Sequence, residues 1–328
     1  MMEEQAFQLK TERKEFSRVG LIYFAALGAA ILAQFVFSWI ILHFQIELDQ
    51  AVLSTLLSVG STYVIGLGVC LLLNYMLPAP ERHILEKRQL GASVFFTSLV
   101  ISYGLLFAGN LIGQGLMWGF DTLMGIPYEN PVSDSILDTP MWQVLLVVVL
   151  IGPIAEEFMC RKLLIDRLCR YGETTAVVIS AMIFALFHGN FFQFFYAFGT
   201  GLVFGYLYVK SGYLRYSILL HMIINFMGSA LPLLLLSGLD TDAIASGTAS
   251  FDLVAFSRIM LTGIYDLVIL GAAIAGIVIL ICVRKRITFN QGECILPKGM
   301  RFRTIFLNLG MILFILLCIV IFSVQILV

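Results

Sequence analysis

Long apolar runs constrain this chain more than any other feature of its sequence. An apolar stretch of roughly 20 residues is long enough to cross a bilayer as a helix. Nine such stretches are expected, at about 19–43, 51–77, 92–118, 141–165, 174–189, 191–209, 216–237, 264–283 and 305–328. The fifth and sixth are short and meet at Gly189-Asn190, as in a shallow hairpin. Composition agrees: 60% of the 328 residues are hydrophobic, 12% are charged and mean hydropathy is +0.96, whereas soluble domains carry about 25% charged residues. The expected fold class is an all-α polytopic membrane protein of about nine transmembrane helices.

Orientation follows from the basic residues, which favour the cytoplasmic side. Lys10, Arg13, Lys14 and Arg18 precede the first span; Arg82, Lys87 and Arg88 lie between the second and third. Arg161, Lys162, Arg167 and Arg170 cluster at the end of the fourth, and Lys210 and Arg215 lie between the sixth and seventh. Arg284, Lys285, Arg286, Lys298, Arg301 and Arg303 lie between the last two. With nine spans, 19 of the 20 Lys and Arg residues share one face, Arg258 being the exception. The N-terminus is therefore expected to be cytoplasmic and the C-terminus outside. The charged N-terminal stretch precedes an apolar run too long for a cleavable signal, so the first helix is read as an anchor.

Several functions find no support. A net charge of -1 without a basic block argues against a nucleic-acid partner. Cys70, Cys160, Cys169, Cys282, Cys294 and Cys318 form no CxxC pair and none falls in an expected outer loop, against a disulfide framework or a cysteine zinc site. Asp240, Asp242 and Asp252 in the 238–263 loop are read as solvating it. No internal repeat suggests a transporter.

Polar groups recur inside three successive spans. Glu156, Glu157 and Arg161 lie on the fourth, His188 ends the fifth, and His221 and Asn225 lie on the seventh. A central charge costs about 2.5–3.5 kcal/mol on insertion scales, so such groups are functional candidates by default. Residues four apart share a helix face, which stacks Glu157 on Arg161 and also pairs Phe184 with His188 and His221 with Asn225. Glu156 points about 100° away and is left free, which makes Glu157 the orienting carboxylate. Gly152-Pro153 suggests a helix restart that would put Glu156 in a first turn, where the dipole favours a carboxylate. Glu156 and His188 are expected to grip a water between them, and His221 with Asn225 to hold an oxyanion. A rise of 1.5 Å per residue sets Glu156, His188 and Asn225 near mid-membrane, with His221 about a turn closer to the cytoplasm.

These residues resemble the motifs of the CPBP family of intramembrane proteases, the CAAX prenyl endopeptidase and bacteriocin-processing enzymes. The motifs Glu-Glu-x-x-x-Arg, Phe-x-x-x-His and His-x-x-x-Asn read Glu156-Glu157-Phe158-Met159-Cys160-Arg161, Phe184-Ala185-Leu186-Phe187-His188 and His221-Met222-Ile223-Ile224-Asn225. Gly201 to Leu214 resembles the family's glycine-containing helix and turn, and the likeness covers about 142–236. It implies three flanking helices in 1–140, a catalytic core in 141–237, and an outer loop with two further helices in 238–328. It also implies hydrolysis of a membrane-embedded or lipidated, CAAX-like peptide within the lipid bilayer of the cell membrane. In that reading Glu156 activates water held by His188, His221 and Asn225 stabilise the oxyanion, and Glu157 and Arg161 organise the site. Members have been called metalloproteases; a metal-free mechanism is favoured here, with zinc on Glu156, His188 and His221 as the alternative. The site is expected to open to the cytoplasmic side. Competing readings are a non-catalytic bacteriocin-immunity or scaffold protein and a proton-coupled transporter.

Overall fold

A computed structural model describes residues 2–77, 79, 84–125, 130, 139–239 and 253–327. Among the described residues there is no β-strand. Nine principal helices follow one another: α1 (Met2–His43), α2 (Gln50–Met76), α3 (Ala92–Met124), α4 (Met141–Tyr171), α5 (Glu173–Phe187), α6 (Phe191–Ser211), α7 (Leu214–Leu236), α8 (Leu253–Arg286) and α9 (Leu309–Leu327). Eight are long and apolar enough to cross a membrane. The exception is α5, whose 15 residues rise only about 22 Å. The nine expected spans thus become eight and a short helix folded back on α6. Lys210 at the end of α6 pairs with Glu173 at the start of α5 at 2.6 Å, so the hairpin returns the chain to the face it left. The Asp240, Asp242 and Asp252 loop lies outside the described residues.

The α5–α6 turn follows from its sequence. Gly189 takes φ +68°, a left-handed conformation that costs glycine little. The Asn190 side chain then accepts from the Gln193 amide at 2.9 Å and caps α6, satisfying a donor the first helical turn leaves free. Two groups of helices enclose the site. On one side α1 packs against α2 and along α9; on the other α3 packs against α6 and α8. Between them lie α4, α5 and α7, with α5 and α6 also in close contact. The outer helices turn large apolar side chains outward, including Phe35, Trp39, Leu72, Trp118, Leu267 and Val320, as lipid-facing surfaces do.

The basic residues gather at one end of the bundle, where ion pairs hold the helix ends together. Arg167 of α4 donates to Glu15 of α1 at 2.6 Å and to the Leu77 carbonyl at 2.8 Å. Glu173 also accepts from the Asn290 side chain at 2.9 Å, which ties the α8–α9 link to α5. Tyr171 donates to Glu12 at the same end.

α4 does not restart at Pro153. Every residue from Gln143 to Asp166 for which the turn changes is right-handed helical, including Ile151 and Gly152. What changes is the hydrogen-bond spacing. Wide turns run over Val144–Ile151 and Phe158–Ile165, with an ordinary stretch, Gly152–Glu157, between them. The expectation of a fresh N-terminus whose dipole steadies Glu156 is therefore incorrect, because the continuous helix leaves no free first turn. Wide turns in α-helices are often found at functional sites, and here they bracket both glutamates.

Candidate active site

Glu157 and Arg161 form the pair their spacing predicts: Arg161 Nε lies 3.1 Å from Glu157 Oε2, and neither side chain has any accessible surface. Arg161 also donates to Ser180 Oγ of α5 at 3.2 Å, while Ser180 donates to the Cys160 carbonyl at 2.8 Å. The guanidinium lies 4.7 Å from the Phe184 ring centre and 5.5 Å from that of Phe204. Its charge is thus met by a carboxylate and two aromatic faces, which is what a buried cation requires.

The other oxygen of Glu157 faces His221, with Nδ1 3.2 Å from Oε1. A carboxylate paired with an arginine can only accept, so Nδ1 carries the hydrogen and Nε2 is turned outward. His221 Nε2 lies 3.8 Å from Glu156 Oε2. The His221 ring stacks on Phe204, with centres 4.9 Å apart, and meets the Phe184 ring edge-on. His221, expected a turn away from Glu156, is therefore beside both glutamates.

Glu156 is the open carboxylate, with 27% of its side chain accessible. Its second oxygen accepts from the Tyr63 hydroxyl of α2 at 2.9 Å. Tyr63 went unnoticed in the sequence because an isolated tyrosine in an apolar span carries no signal of its partner. Gly152 makes room for it: a Cβ there would come within 2.9 Å of the Tyr63 oxygen. Gly152-Pro153 thus matters for access and not for a helix break.

His188 follows α5, and its Nδ1 lies 2.8 Å from the Phe184 carbonyl. A carbonyl only accepts, so Nδ1 is protonated and Nε2 is left as an acceptor. Asn225 donates to the Val148 carbonyl at 2.8 Å. That oxygen has lost its usual partner. In this wide-turn stretch Gly152 N–H reaches back five residues to Val147, so the next donor in sequence would be Pro153, which has none. Asn225 supplies the missing hydrogen bond and keeps a second amide hydrogen. It lies level with Val148, further from the basic end than Glu156, and not at Glu156's depth as expected.

Glu156, His188, His221 and Asn225 line one cavity of about 590 Å³, together with Tyr63, Asn110, Gln193, Thr200 and Ser229. Such a volume is typical of small-ligand sites. Glu157 and Arg161 are not at its wall. A second, more apolar space of about 380 Å³ lies between α1, α2, α4, α5 and α9, and also touches Tyr63, Glu156 and His188. The cavity extends away from the basic end. Val147 at the start of α4, Leu236 at the end of α7 and Asn130 before α4 line it.

Among the described residues no three His, Cys, Asp or Glu side chains converge as a metal site requires.

Residues 138–227 match the family model of the Rce1-like type II CAAX prenyl endopeptidases. All six candidate residues fall inside the match; Tyr63 falls outside it. No curated protein and no solved structure matches the chain.

Proposed function

We propose that this multi-pass membrane protein hydrolyses peptide bonds with water activated by Glu156, a reading supported by the match of residues 138–227 to the Rce1-like endopeptidase family model. One observation carries the reading. In a single cavity Glu156 is the accessible acid, while its neighbour Glu157 is fully occupied by Arg161 and His221.

The protonation pattern defines the roles. A water between Glu156 and His188 would donate one hydrogen to the carboxylate and the other to His188 Nε2. Its lone pair then points at the substrate carbonyl. Attack forms the new C–O bond as Glu156 takes the water proton. The negative charge gathers on the carbonyl oxygen, where the spare amide hydrogen of Asn225 stabilises it. His221 Nε2, 3.8 Å from Glu156, receives that proton and delivers it to the amine as the C–N bond breaks. Because Nδ1 holds the resting hydrogen, Nε2 has none to offer the forming oxyanion, and His221 serves the leaving group while Asn225 serves the oxyanion. Glu157 fixes its ring and Arg161 fixes Glu157. No step uses a metal. The substrate is a membrane-associated peptide, lipidated or not; a CAAX-like terminus is one form it could take.

The test is Glu156→Gln in reconstituted protein. Cleavage of a reporter peptide falls at least about 100-fold, the scale of a lost general base, while folding is retained. Unchanged cleavage sinks the mechanism in favour of a non-catalytic role. Stoichiometric zinc in the purified protein, lost together with activity on chelation, replaces the metal-free chemistry.

A further inference from the structure

The larger cavity around Glu156 runs away from the basic loops, and the smaller apolar space beside it is lined by the middle of α1, Ala26 to Gln34, and not by the basic end. Beyond the reacting groups the wall of the larger cavity is made by Val147 of α4, Asn110 of α3, Gln193 of α6, and Pro232 and Leu236 of α7. These positions belong to the beginnings of α4 and α6 and the later parts of α3 and α7, all remote from the basic loops. Toward the basic end a separate space of about 300 Å³, lined by Lys87, Phe158, Lys162, Asp166 and Tyr208, does not include Glu156, His188 or His221, and a packed layer lies between. Arg161, Leu164, Ile165, Leu168, Leu207 and Tyr208 are at most 1% exposed. Behind them the Arg167–Glu15 and Lys210–Glu173 pairs join the helix ends. A peptide coming from the basic face would have to part this packed layer, whereas from the opposite face it follows existing space.

Resting on the endopeptidase reading above, we propose that the protein cleaves peptide segments presented from the extracytoplasmic face. The side is assigned by the basic residues, which mark the cytoplasmic face in membrane proteins. The wall chemistry narrows the substrate further. Thr200 and Ser229 line the wall and already donate to the Tyr196 and Asn225 carbonyls, so their oxygens are left to accept. Asn110 and Gln193 accept from Gln114 and Asn190 and keep amide hydrogens to donate. This mixed set suits an extended backbone, which offers alternating donors and acceptors. Among the described lining residues there is no Lys or Arg, so nothing there holds a C-terminal carboxylate or a phosphate. The same end of the bundle carries Glu47, Asp49 and Asp121 against one described Lys or Arg, Arg258, an acidic balance that favours cations. The substrate class is therefore an uncharged or cationic segment cut at an internal bond, either free in the exterior or next to a membrane anchor.

The experiment uses the full-length protein in intact cells and in inverted membrane vesicles. The probe is a membrane-impermeant fluorogenic peptide with lysines at both ends, with and without an acyl anchor. Sidedness is read separately in a Cys282→Ser background with an impermeant maleimide, using Leu236→Cys at the cavity and Gly299→Cys at the basic end. The expected result is labelling of Leu236→Cys, but not Gly299→Cys, in intact cells. Glu156-dependent cleavage of peptide added outside is then at least tenfold faster than in inverted vesicles. The anchored or free form, whichever is cut faster from outside, identifies the source. Glu156-dependent cleavage confined to inverted vesicles overturns the inference and leaves the protease standing, as does labelling of Gly299→Cys from outside. Correct labelling with no Glu156-dependent cleavage on either side removes the endopeptidase reading, and this inference with it.

Discussion

At the residue scale, the two adjacent glutamates have opposite environments, and the difference sets their chemistry. Glu157 is enclosed by Arg161 and His221, while Glu156 has Tyr63 and open space. Spacing alone separated the two, because i and i+4 share a face and i+1 does not. Tyr63 had no such signature. A hydrogen bond to a charged group contributes about 1.5–3 kcal/mol, so Tyr63→Phe should lower kcat by about ten- to a hundredfold. KM should change little, since the bond orients the base and not the substrate. Gly152→Ala should give the same kcat defect by displacing the hydroxyl, and combining it with Tyr63→Phe should add little. Steady-state kinetics of the three variants check this; additive losses would separate the two residues. Removing Arg161 should behave differently. Breaking a buried pair costs about 3–5 kcal/mol, so Arg161→Ala should reduce thermal stability in detergent as well as activity.

At the element scale, α4 carries its glutamates on a short ordinary stretch between two wide-turn segments. Pro153 leaves the Val148 carbonyl without a donor, and α7 repairs it through Asn225. A proline in a span suggested a break from sequence, since the compensating donor lies 77 residues away. Two roles for Asn225 can be separated by a double variant. Pro153→Ala restores a backbone donor to Val148, so it should recover most of the stability lost in Asn225→Ala, about 1–3 kcal/mol for an unpaired carbonyl. Cleavage should stay low in the double variant, because the oxyanion donor is still missing. Thermal unfolding and peptide turnover, measured on the same preparations, distinguish these effects.

For the whole molecule, one end is polar and tied by ion pairs, and the cavity that Glu156 lines lies toward the other. Arg167 ties α4 to α1 through Glu15 and to the end of α2 through the Leu77 carbonyl, fixing the helices that bring Tyr63 to Glu156. Arg167→Ala should lower thermal stability by less than the roughly 3–5 kcal/mol of a buried charge left alone, because Glu15 keeps Arg18 at 3.3 Å. Glu15→Gln in the same chain should return part of it by removing that charge. A melting series of the single and double variants gives the coupling.

Composition and periodicity determined that the chain is a helical membrane protein, and helical spacing determined which glutamate would be paired and which free. Both are local properties, set by hydropathy and by 3.6 residues per turn. The motif residues were legible for the same reason, since each trio or pair lies within one turn or two of a single helix. Only the tertiary structure decided that α5 is a short hairpin arm, that α4 continues through Pro153, that Tyr63 holds Glu156, and that the cavity extends away from the basic loops. Each of these depends on contacts between helices far apart in sequence, where packing decides which polar groups meet and which space is left open. Glu156 and its neighbours could be named from the chain; the route to them could not.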